Sequence, residues 1–156
     1  MVMHKQEWLL NKWLCFLRLP MLAAVLSFMA STTHAAVAMT AYVFAPLPGK
    51  SVTVAYGVLE NTGTSTQQLL AISVPDDNPW AETVEIHEHV HADGMMQMRK
   101  LDSLSLAGGT QQELAPGAIH LMVFGVSKLQ VGESLPLLLH WSNGEQQQIL
   151  VDVRQR

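Results

Sequence analysis

His87, Met98, His120 and Met122 place two imidazoles and two thioethers in a stretch that contains no cysteine. Thioether sulfur is a soft, neutral donor that few ions other than Cu(I) bind well, and imidazole suits the same ion, so the set points to monovalent copper. In an oxidising compartment thiolates are open to disulfide formation and sulfur oxidation, whereas thioether and imidazole stay available. Both are neutral, which leaves a Cu(I) site with one positive charge. Such a site can hold the ion and still release it to a partner with thiolate donors.

The elements that must position these donors read as short strands divided by turn residues. Ser51 to Glu60 alternates apolar and polar before Asn61-Thr62-Gly63, and Gln68 to Val74 does so before Pro75-Asp76-Asp77-Asn78-Pro79. Glu82 to His91 and Met95 to Leu101 flank Asp93-Gly94, which suits the positive φ angles of a tight hairpin turn. Thr110 to Leu114 and Ala118 to Phe124 flank Pro116-Gly117, the pair favoured at the centre of a type II turn, and Ser134 to Trp141 and Glu145 to Val153 flank Asn143-Gly144. No segment sustains a helical period. The expectation is an all-β, antiparallel Greek-key sandwich of seven or eight strands, immunoglobulin-like in architecture.

Strand alternation decides where the donors point. In Glu82 to His91, Val84, Ile86 and Val90 share one face, and Glu85, His87, His89 and His91 the other. In Ala118 to Phe124, Ile119, Leu121 and Val123 supply the buried face, so His120, Met122 and Phe124 emerge together opposite. Two hairpin registers are compatible with Asp93-Gly94. A two-residue turn sets His89 against Met98 and His91 against Met96, with His87 diagonal to Met98. A three-residue loop instead puts His87 and Met98 on opposite faces.

Residues 1–35 read as a secretory signal peptide and 36–156 as one domain. Lys5, Lys12 and Arg18 form a positive leader, Leu19 to Ala30 an apolar run, and Thr33-His34-Ala35 a small-residue cleavage site, with cleavage expected after Ala35 or Ala36. The apolar core is short for a span of roughly twenty residues, although an uncleaved anchor is the competing reading. The only cysteine, Cys15, precedes that core and so is not placed for lipidation; the mature chain would be a soluble periplasmic protein without a thiol. The leader takes three of the nine basic residues and one of the thirteen acids, so the remainder is more negative than the −4 of the whole chain. Nucleic acid is an improbable partner for such a surface.

Other function classes meet specific obstacles. A blue-copper electron carrier needs a cysteine thiolate, and a hydrolase would need a free thiol or a Gly-x-Ser-x-Gly elbow, neither of which the chain from 36 onward contains. Two thioethers favour holding Cu(I) over reacting with oxygen, so no enzyme is expected. A plain adhesion sandwich would leave the donor spacing as coincidence. His140, between Leu139 and Trp141, reads as structural or merely exposed. His89 and His91 could form a nitrogen-rich annex for Cu(II), and Met96 a spare thioether, against the simpler reading of a solvated strand face.

The spacing His87, ten residues, Met98, twenty-one residues, His120, one residue, Met122 resembles the signature of the PCuAC family of periplasmic copper chaperones. The likeness runs from about Val52 to Val153. Ala55-Tyr56-Gly57-Val58-Leu59-Glu60-Asn61-Thr62-Gly63 resembles the family's early strand, Val84-Glu85-Ile86-His87-Glu88 its first ligand strand and Met96-Gln97-Met98-Arg99 its methionine strand. Leu114-Ala115-Pro116-Gly117-Ala118-Ile119-His120-Leu121-Met122 is similar to the third, and Val131-Gly132-Glu133-Ser134-Leu135-Pro136-Leu137 to the strand that follows. Tyr42-Val43-Phe44-Ala45-Pro46 stands where the family often has a strand with tryptophan and arginine, and residues 154–156 lack the His- and Met-rich tail of some members. The resemblance implies a cupredoxin-like sandwich and one Cu(I) held by the four residues. It further implies delivery to a copper-accepting protein, such as cytochrome c oxidase subunit II or a Sco-type thiol protein. A copper storage or tolerance protein without a dedicated recipient is the alternative.

Overall fold

In the computed structural model, residues 37–156 are described, apart from Asp93 and Ser127. The expected signal peptide and its cleavage point lie outside the described residues. Ten strands account for the ordered elements, with no helix among the described residues. They are β1 (Val37–Phe44), β2 (Val52–Asn61), β3 (Gln67–Ser73), β4 (Thr83–Ala92), β5 (Met95–Lys100), β6 (Leu104–Leu106), β7 (Gln111–Leu114), β8 (His120–Phe124), β9 (Ser134–Trp141) and β10 (Gln146–Arg154).

The hydrogen-bonded order is β5-β4-β8-β2-β1-β10-β9-β3-β6, with β7 also on β2. Most sheet neighbours are therefore distant in sequence, as in a Greek-key sandwich, and the fold is cupredoxin-like. Every pairing is antiparallel except β1 with β10, where Tyr42 meets Asp152 and Val43 meets Val153. The antiparallel expectation fails at that one seam because a parallel pair needs a long connection, and here almost the whole domain supplies it. The seam gives the first segment, Tyr42 to Phe44, a firm place in the sheet. The core forms where alternating aliphatic residues face one another: Val43 on β1, Ala55 and Leu59 on β2, Val84 and Ile86 on β4, Leu121 and Val123 on β8, Leu135, Leu137 and Leu139 on β9, and Val151 on β10.

Two local devices shape the sheet near the donors. Gly57 is packed so closely on β1 that a Cβ there would come within 2.2 Å of the Thr40 carbonyl oxygen, which lets β2 lie flat on its neighbour. Asn61, fully buried at the end of β2, donates from Nδ2 to the carbonyls of Ser65 and Leu106 and accepts at Oδ1 from the Gly63 amide. One side chain thereby satisfies three backbone groups, two at the turn into β3 and one at the end of β6.

Candidate metal centre

β7 and β8 run in the same direction along one edge of β2. Leu114 pairs with Gly57 and Leu121 with Ala55, so residues 115–119 are pushed out of the ladder between them. Pro116-Gly117 turns this bulge: the Ala118 amide donates to the Ala115 carbonyl at 3.1 Å, the Ala115 amide to the Ile119 carbonyl at 2.8 Å, and Gly117 takes φ +77°. The chain re-enters the sheet at His120. Its Nδ1 lies 3.0 Å from the Ala118 carbonyl oxygen. A carbonyl can only accept, so Nδ1 carries the proton and Nε2 is left with the lone pair. The bulge thus fixes both the ring and the tautomer of His120, the arrangement that metal-binding histidines use.

His87 is directly opposite His120 across β4 and β8, with ring centroids 6.2 Å apart. Its Nε2 is 2.8 Å from Glu85 Oε2. Glu85 also accepts from Lys100 Nζ at 2.7 Å. The Lys100 ammonium, and after it the His87 imidazole, hold the Glu85 carboxyl below its ordinary value, so it is an acceptor only. His87 therefore donates from Nε2, which leaves the lone pair on Nδ1, and that atom is buried without a hydrogen-bond partner. A buried imidazole nitrogen with no partner is costly unless something binds there.

The hairpin takes the two-residue register: Ala92 pairs with Met95, His91 with Met96, His89 with Met98 and His87 with Lys100. Met98 consequently shares the face of His87 and stands diagonal to it, 50% exposed on the edge strand. Met122 shares the face as well, opposite Glu85. Met98 and Met122 thus flank the imidazole pair from opposite ends, their rows four residues apart on β4, or roughly 13 Å of strand.

The face differs from expectation in one respect. His120 points away from the aliphatic core, as alternation requires, yet it is only 3% exposed. Tyr56 from β2 lies 6.4 Å from its ring and His89 4.9 Å, centroid to centroid, and these neighbours with His87 wall it in. Tyr56 and Glu85 join the group without being among the expected donors. Alternation already sets Glu85 on the face of His87, whereas Tyr56 enters only through the β2–β8 pairing. Phe124 closes the far side, 6.5 Å from His87. His91 and Met96 are exposed towards the hairpin tip. His140 is remote and structural, with Nε2 2.7 Å from Ser73 Oγ. Among the described residues no three His, Asp or Glu side chains gather as a metal cage.

The sequence model of the LpqE-like lipoprotein family matches residues 32–153. The chain belongs to that family. Its only cysteine, Cys15, lies outside the matched residues. No curated protein matches the chain by sequence. Among solved structures, the copper-bound PCuAC domain of PmoF2 is 18% identical with a TM-score of 0.62, over 78% of this chain and 94% of that one. DR1885 of Deinococcus radiodurans in its CuI form is 22% identical with a TM-score of 0.63, over 81% and 83% of the two chains. Its apo form is 24% identical with a TM-score of 0.59, over 80% and 82%. At these identities the likeness is one of fold, and it gives this family member the cupredoxin-like sandwich of PCuAC domains.

Proposed function

We propose that this chain is an exported copper chaperone that binds one Cu(I) through His87, Met98, His120 and Met122 and hands it to a partner. The observation that carries the reading is the paired tautomers. The Ala118 carbonyl occupies His120 Nδ1 and Glu85 occupies His87 Nε2, so each of two facing imidazoles keeps one lone pair for a metal. The thioethers on the same face supply the soft donors that select Cu(I) over zinc or Cu(II). The fold shared with the copper-bound PCuAC domain of PmoF2 and the CuI form of DR1885 supports the choice of metal. Residues 1–35 act as the signal peptide, 36–156 form the single mature domain in the periplasm, and the protein is a carrier, not an enzyme.

Delivery follows from the donor set. Copper leaves by ligand exchange to thiolates, which bind Cu(I) more tightly than thioethers do, and the best-suited recipient is the copper machinery of cytochrome c oxidase, through subunit II or a Sco-type thiol protein. The test is transfer. The Cu(I)-loaded domain is mixed with an apo domain carrying a Cys-x-x-x-Cys pair, the two are separated, and copper is measured in each. Movement at a rate that rises with acceptor concentration supports directed delivery. Retention of copper by the domain with acceptor in excess would make the protein a store.

A further inference from the structure

His89 has no part in the four-donor set, yet the geometry gives it three features of a ligand. Its ring is nearer to His120 than that of His87 is, 4.9 Å against 6.2 Å between centroids. It is the direct cross-strand partner of Met98, whereas His87 faces Lys100 and meets Met98 only on the diagonal. Its Nδ1, like that of His87, is buried and has no hydrogen-bond partner. A histidine needed only for strand solubility would turn both nitrogens to water.

The separation of the two thioethers gives these features a meaning. Met122 stands on the Glu85 side of the His87–His120 row and Met98 on the His89 side, so a single ion in contact with all four donors must span rows roughly 13 Å apart. Three donors on each side are far more compact. His87, His120 and Met122 form one group, and His89, Met98 and His120 form the other, with the His120 ring common to both.

We propose that His89 is a Cu(I) ligand, and that the face holds two overlapping three-donor positions which share His120. The inner position uses His87 and Met122. The outer uses His89 and Met98 on the edge hairpin, where β5 is exposed along its length and an accepting thiolate can approach. Copper steps from inner to outer by exchanging His87 and Met122 for His89 and Met98 while His120 stays bound. No proton or electron is transferred in the step. This rests on the proposed Cu(I) function and refines it: the four donors of that reading serve the one ion in turn, Met122 with His87 in the inner position and Met98 with His89 in the outer, which identifies the exit side of the site.

The experiment is a double-mutant cycle in Cu(I) affinity, by competition with a coloured chelator, on the mature domain with wild type, H89A, M122A and H89A/M122A. The ring nitrogens of His89 are followed in parallel by 15N NMR in the wild type, since Cu(I) is diamagnetic. If His89 is a donor, H89A costs about threefold in the wild type, where the inner position remains, and at least about tenfold once M122A has removed it. The His89 ring nitrogens also shift on loading. A loss from H89A no larger in M122A than in the wild type, with an unmoved His89 ring, overturns the proposal. An H120A/M122A control separates the two readings: wild-type affinity there removes the copper function itself, whereas lost affinity there with an inert His89 removes the second position alone.

Discussion

β9 and β5 are both antiparallel strands of one sheet, and they have opposite relations to the rest of the molecule. β9 lies between β10 and β3 and buries Leu135, Leu137, Leu139 and Trp141 in strict alternation. β5 is an edge strand held by β4 alone, and all its residues are exposed, three methionines among them. Alternating leucines on a central strand are explained by packing. Exposed methionines on an edge strand are not, because large apolar side chains there invite association and contribute little burial. The difference separates two roles. Stability resides in β9 and the strands it packs against, and the proposed ligand chemistry in the β4–β5 hairpin and the outer side of β8.

The separation can be broken by substitutions on either side. The largest effect should come from Leu137→Ala, which leaves a cavity at a fully buried site and should cost about 2–5 kcal/mol in a urea melt. The folded fraction of that variant should bind Cu(I) as the wild type does; a matching loss of affinity would mean that core and site are not separable. Asn61→Ala comes next. It strips partners from the Ser65 and Leu106 carbonyls and the Gly63 amide and should cost about 1–3 kcal/mol. Little change would show that water replaces the amide.

Met98→Ala should invert the pattern. Its side chain is half exposed, so stability should move by no more than about 0.5 kcal/mol. Cu(I) affinity should fall about threefold, as for H89A, because the inner position keeps its donors, and at least tenfold, or about 1.4 kcal/mol, once M122A has removed that position. A stability loss comparable to that of Asn61→Ala would place Met98 with the packing residues.

The smallest effect concerns acid. Glu85 has its carboxyl pKa lowered in the folded state by Lys100 and then His87. A depressed carboxylate contributes stability that is present above the unfolded-state value and lost as the pH falls through the folded one, so the contribution should fade below about pH 4. It is modest, since the ion pair with Lys100 is solvent-screened. Comparison of thermal midpoints for wild type and Glu85→Gln between neutral and acid pH reads it: the gap should close as the pH drops, and a constant gap would assign the effect to shape. Copper binding should weaken in acid for a different reason, because a ligating imidazole must give up its proton.

Much of this organisation is legible in the chain. The alternation of Ile119, Leu121 and Val123 with His120, Met122 and Phe124 sets the two faces of β8, and a two-residue turn after Ala92 is one of the two registers the sequence offers, the one that joins Met98 to the histidines. What was not legible depends on contacts distant in sequence. Leu104 to Leu106 is too short to show a period, and it becomes a strand only by pairing with β3. The parallel seam of β1 with β10 joins opposite ends of the domain. The burial of His120 requires Tyr56 from β2, and the tautomer of His120 requires the bulge that brings the Ala118 carbonyl to it. Residue types point to a chemistry; only the pairing of the strands reveals how the imidazoles are oriented.

The most direct test of the central claim is a Cu(I) competition titration of the mature domain against a coloured chelator, beside the H120A/M122A double variant, with circular dichroism to confirm the fold of both. The account predicts tight binding of copper by the wild type and its loss in the variant, with superimposable spectra. Binding that survives the double substitution, or is absent from the wild type, would contradict it.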